Sequence, residues 1–85
     1  MTRINCTAKD LDMFRIGLGR RIKDLRTRDA QMSLDQFAQR VNVTKAGVYQ
    51  WESGNAAPNV YTLAQICREF DITADHLLGL KSDEQ

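Results

Sequence analysis

Few residues in this chain are placed to do covalent or metal chemistry. It has one histidine, His76, and two cysteines, Cys6 and Cys67, and neither cysteine has a neighbour at zinc-ligand spacing. Its acidic residues are scattered without a facing pair, and no Ser/His/Asp or Cys/His set converges on a common pocket. The sequence therefore predicts no catalysis, no metal site and no cofactor. His76 falls in a capped, exposed turn and reads as a surface residue rather than a pH switch. What remains is hydrogen bonding and charge. The Gln50 amide holds a donor and an acceptor side by side, which matches N6 and N7 of adenine. Lys45 is a cation suited to phosphate, with guanine as its second option. Tyr49 can offer its hydroxyl to phosphate or base, or its ring can simply cover the surface. The densest basic run is Arg20, Arg21, Lys23, Arg26 and Arg28, of which at least two read as a solvated helix face.

Those side chains need elements to hold them, and the patterning is helical throughout. Phe14, Leu18, Ile22 and Leu25 form one apolar stripe, so a first helix is expected from about Leu11 to Arg28. Ser33 followed by Gln36 is a capping box, opening a short helix with Phe37, Ala38 and Val41 on its apolar face. Asn42 stands at the reversal, because Asn tolerates the left-handed backbone needed there. Thr44 caps the next helix, of about ten residues, with Val48 and Trp51 inward and Gly54 just past its end. Asn59 caps a fourth helix bearing Leu63, Ile66, Cys67 and Phe70, the clearest helical spacing in the chain. Thr73 caps a fifth, with Leu77 and Leu78, closed by Gly79. The expected fold is an all-α, compact five-helix bundle.

Within that bundle, two short helices joined by Val41–Asn42–Val43 form a helix-turn-helix, whose second helix can enter the major groove of DNA. Val43, Val48 and Trp51 anchor that helix. Lys45, Ala46, Gly47, Tyr49 and Gln50 are left on the side where base edges would be met.

Size and charge agree with one small binding domain. The chain has 85 residues and 9.7 kDa, with 42% hydrophobic and 27% charged residues, which is ordinary globular composition. Its longest uncharged stretch, Ser53 to Cys67, contains Gly54, Asn55 and Pro58 and is no membrane span. Arg3 and Lys9 interrupt the N-terminus, so no signal peptide and a cytoplasmic location are expected. Net charge is +1, but residues 1–45 hold ten basic against five acidic residues, and residues 46–85 hold two against six. That asymmetry points to one surface for a polyanion and an acidic surface elsewhere. Two cysteines are too few for a disulfide framework, and Cys67, on an apolar stripe, reads as a small core residue.

The order of these features resembles the lambda-repressor-like, Cro/Xre-type helix-turn-helix family of bacterial and phage regulators. The resemblance runs from Leu18–Arg26, through Met32–Gly54 with its Val48, Trp51, Glu52 and Gly54, to Pro58–Gly79 with its closing Leu77-Leu78-Gly79. It implies that Thr44, Lys45, Ala46, Gly47, Tyr49 and Gln50 approach bases and flanking phosphates. It implies further that Ser33 and Leu34 begin the helix that meets the backbone, that Ser53 and Asn55 touch phosphate, and that Arg26 supports the same surface. Three residues depart from the family pattern. Leu34 stands where Gln is usual, Asn42 replaces the usual Gly of the turn, and Gly47 costs about 1 kcal/mol of helix propensity relative to Ala. Ala46 and Gly47 together leave a low patch that can admit a thymine methyl or allow close approach of the backbone.

The expected organisation is an arm at 1–10, the DNA-binding domain at 11–80 with its motif at 33–53, and a polar tail at 81–85. The expected function is a sequence-specific double-stranded DNA-binding transcriptional regulator, a repressor binding an inverted repeat as a homodimer. The rival is an antitoxin that binds a toxin or other regulatory protein and controls its own promoter; a further rival keeps the fold without binding DNA.

Overall fold

The computed structural model describes residues 8–80. They form five α-helices: α1 (Ala8–Asp24), α2 (Leu34–Arg40), α3 (Lys45–Glu52), α4 (Val60–Phe70) and α5 (Ala74–Leu78). No strand occurs among the described residues. Each expected cap forms. Ser33 and Gln36 complete the capping box at the head of α2, and Thr44, Asn59 and Thr73 accept backbone N–H groups at the heads of α3, α4 and α5. Asn42 is left-handed at φ 64°, as the reversal requires. Gly54, at φ 83°, ends α3, where the Asn55 N–H returns to the Gln50 carbonyl at 3.0 Å.

The first helix differs from its expected span at both ends. It begins at Ala8, three residues early, and closes not as α-helix but as a wider π turn over Leu25–Asp29. There the Ala30 N–H reaches back five residues to Leu25, and the Met32 N–H reaches six to Arg26, each at 2.8 Å. Left-handed Gln31 then turns the chain into α2.

The core is Leu18, Ile22 and Leu25 from α1 and its π turn, Phe37, Ala38 and Val41 from the second helix, Val48 and Trp51 from α3, Ile66 from α4 and Leu77 from α5. Phe14 was expected in the same stripe but is 40% exposed. Arg15 and Ile16 touch Gly54 at the edge of the domain, and the first buried residue of the stripe is Leu18, one turn after Phe14. The stripe simply outruns the body it packs against, and Leu11 and Met13 are exposed with Phe14. Cys67 is a free, half-buried thiol packed at the core edge, and that burial pushes its pKa up. Cys6 and the tail at 81–85 lie outside the described residues. Between α2 and α4, Phe37 stacks on Phe70 at 5.2 Å, and the Arg40 guanidinium lies over Phe70 while binding Glu69 at 2.9 Å.

Two contacts fix α3 against α1. Gly19 packs so closely on the last turn of α3 that a Cβ would overlap the Trp51 carbonyl oxygen and lie 3.2 Å from the Glu52 Cα. Seven residues further along the chain, in the π turn, Arg26 grips Glu52.

Candidate nucleic-acid interface

One face of α3 is fully engaged by the domain, and the opposite face is unoccupied. Val48 is completely buried and Trp51 is 7% exposed. Spaced three apart, they place Lys45, Ala46, Tyr49, Gln50 and Ser53 around the outer side, where all five are exposed. Thr44 accepts the Gly47 N–H at 3.0 Å, so its hydroxyl shapes the start of the helix. Gly47 is half-buried; a Cβ there would press on that hydroxyl at 3.2 Å. The helix-propensity loss at Gly47 therefore accompanies a tight capped turn.

Tyr49 is 56% exposed. Among the described residues, the side chains of Tyr49 and Gln50 make no hydrogen bond or ion pair. The Gln50 carbonyl, by contrast, is heavily used: it accepts from the backbone of Asn55 and Ala56 and from the Ser53 hydroxyl. Its backbone is thus held while its amide stands free. Lys45 lies 3.9 Å from Asp35, with both side chains more than half exposed. An ion pair in that setting is worth at most about 1 kcal/mol and leaves the ammonium available.

The remaining candidates divide. Ser33, Ser53 and Asn55 are exposed on loops flanking α2 and α3. Leu34 is not turned outward: it is half-buried and packs on the core. An apolar side chain at the head of α2 gains more by covering the core than by facing water.

Arg26 is also not at the surface. Its Nε donates to Glu52 Oε2 at 2.7 Å, its Nη2 to Glu52 Oε1 at 2.9 Å, and its Nη1 to the Met32 carbonyl at 3.0 Å. The side chains are 12% and 7% exposed. Hydrogen bonding to Glu52 raises the Arg26 pKa above its already high ordinary value. One guanidinium therefore ties the end of α1, the entry to α2 and the last residue of α3.

Sequence reasoning missed Glu52 as that partner, although opposite charges at the ends of two packed helices were the available signal. It also missed Arg21, which donates to the Leu77 and Leu78 carbonyls at 2.7 and 3.0 Å and holds the end of α5. His76 is exposed, as expected.

A short capped helix, buried along one side, bearing free amide and ammonium groups along the other and preceded by a second capped helix, is the geometry of a DNA-binding helix-turn-helix protein. The helix-turn-helix family model matches residues 22–77, well over half of the chain, and the protein belongs to that family. The chain is also 33% identical over 59 residues to the HTH-type transcriptional activator BcrR of Enterococcus faecalis, an alignment spanning 69% of this chain and 28% of that protein. No solved structure is a significant match. The chain spans little more than a quarter of that relative's length, and what the match shows is a helix-turn-helix domain. No described helix is long and apolar enough to cross a membrane.

Proposed function

We propose that the protein is a sequence-specific repressor that binds an inverted-repeat operator as a homodimer and works by occupying promoter DNA. The observation that carries this reading is the free Gln50 amide on a helix whose other side is immobilised by Val48, Trp51 and Glu52. Gln50 reads adenine. Lys45 neutralises phosphate, and Tyr49 lies beside it on the same exposed face. Ala46 and Gly47 leave room for a thymine methyl. Ser33, Thr44, Ser53 and Asn55 border the phosphate track, and Leu34 and Arg26 support it from within. A single half-site offers few base contacts, so specificity calls for two copies about one helical turn of DNA apart. Such a protein works in the cytoplasm.

Selection of bound sites from random duplex DNA tests the proposal. An inverted repeat with A·T pairs at a fixed place in each half is the expected product. Enrichment of no motif would refute sequence-specific reading. A second reading, activation, is favoured by the similarity to a transcriptional activator of Enterococcus faecalis, of which this chain spans about a quarter. A promoter–reporter assay with the selected site separates the two by the sign of the response.

A further inference from the structure

The N-terminal part of α1 projects beyond the packed body. Leu11, Met13, Phe14 and Ile16 are between 40 and 62% exposed, and they make up half of residues 9–16. Leu11 and Phe14 continue the line of Leu18, Ile22 and Leu25, all of which are buried. The core stripe therefore runs on past the last residue that the body covers. A free helix of two or three turns is marginal in water, because nucleation is costly and helices draw most of their stability from packing. An apolar stripe on such a segment marks a face that another surface covers. The helix-turn-helix family match begins at residue 22, so this face lies outside the matched segment.

The charges beside the stripe indicate what covers it. Asp12 and Arg15, three residues apart and paired with each other, share one flank of the helix, with the acid nearer the N-terminus. A two-fold axis perpendicular to α1 sets a second copy antiparallel and keeps like flanks side by side. With that axis between Met13 and Phe14, Asp12 of each copy lies level with Arg15 of the other. The same register brings Leu11 and Phe14 against the apolar residues of the second α1. A patch that is its own complement in both charge and polarity fits a second copy of this chain.

We propose that the exposed start of α1 is the dimer seam of this protein, formed by antiparallel pairing of two α1 helices through Leu11 and Phe14 and framed by Asp12 and Arg15. The proposal rests on the homodimer of the reading above and names its surface. The seam is tied to α3: Ile16 packs on Gly54, and Arg15 donates to the Gly54 carbonyl at 3.3 Å. Joining two α1 helices thereby fixes the separation of the two α3 helices. Two turns from each copy bury less than the roughly 1,600 Å² of a standard interface, so association is weak and depends on concentration.

Sedimentation equilibrium of the full chain without DNA, over a concentration series, tests the seam. Leu11→Ser and Phe14→Ser should each weaken self-association about tenfold or more, since each removes apolar burial twice per dimer. Val60→Ser, at an exposed position on the apolar groove of α4, should leave it unchanged. Asp12→Arg and Arg15→Asp should each weaken self-association by setting like charges together. Mixing those two variants should give a heterodimer preferred over either homodimer, which effects confined to one helix do not produce. Thermal melts confirm folding, and the charge variants keep the apolar stripe where a serine frays it. A chain that stays monomeric throughout, or a dimer indifferent to these substitutions, overturns the seam. Site selection separates the two readings. An inverted repeat chosen by a protein whose association ignores α1 leaves the DNA-binding homodimer standing on another surface. Enrichment of no motif overturns the DNA reading, while a dimer sensitive to Leu11 and Phe14 upholds the seam.

Discussion

Arg26 and Glu52 meet through two parallel N–H···O bonds, 2.7 and 2.9 Å long, at a point where three helices converge. A carboxylate at the C-terminus of a helix is poorly placed with respect to the helix dipole. The fork of Arg26 compensates for it and satisfies both oxygens.

Removing either member alone leaves the other charge buried without a partner. Arg26→Ala and Glu52→Ala should each lose about 3–5 kcal/mol, as is general for broken buried pairs. Replacing both by apolar residues of similar volume should cost far less. Urea unfolding of the four proteins in a double-mutant cycle measures this. A loss in the double equal to the sum of the two single losses would show that the charges are not coupled.

Trp51 and Gly19 make a second stability prediction. Trp51→Ala should cost about 3–5 kcal/mol by emptying a core site. Gly19→Ala should also destabilise, although alanine is the better helix former, because its methyl meets the backbone of Trp51. A rise in melting temperature for Gly19→Ala would contradict the close approach of the two helices.

On the exposed side of α3 the effects should fall on binding and leave folding alone. Gln50→Ala should cost about 1–3 kcal/mol on the best site and relax preference at one base in each half-site. Lys45→Ala should weaken all sites alike and make the salt slope shallower by about one unit per phosphate lost. A panel of operators, each changed at one base pair, distinguishes these. A uniform loss for Gln50→Ala would assign it to anchoring.

Cys67 gives a chemical readout of the core edge. Burial raises its pKa, so the folded domain holds less thiolate than the unfolded chain at the same pH. In a Cys6→Ser background, alkylation should be slow in the native state and should accelerate in urea. Because the folded pKa is the higher one, the thiol's contribution to stability is complete below the unfolded value of about 8.5 and fades as pH rises through the folded value. Stability in this background should therefore decline at alkaline pH, more than in a Cys67→Ala protein.

The features readable from sequence are those settled within a few residues. Ser33 with Gln36, and Thr44, Asn59 and Thr73, each bind a backbone group three residues away, so composition and spacing suffice. Asn42 and Gly54 are readable for the same reason. Other placements are settled by distant parts of the chain. Whether Phe14 is covered depends on where the remaining helices stop. Whether Arg26 faces water depends on a carboxylate 26 positions away, and Arg21 is claimed by carbonyls 56 and 57 positions on. Leu34 follows the opposite logic: its apolar character alone favours the inward position, against the polar role that family position suggests.

The division of labour along α3 has an evolutionary consequence. Thr44, Val48, Trp51, Glu52 and Gly54 hold the helix, while Lys45, Tyr49 and Gln50 touch nothing that the fold needs, apart from one loose ion pair. Substitutions at such solvent positions usually change stability by less than about 0.5 kcal/mol. If these residues choose the target, as proposed, target choice and foldability are inherited on separate residues. A gene duplicate of this protein can drift to a new binding site one substitution at a time, with every intermediate still folded and open to selection.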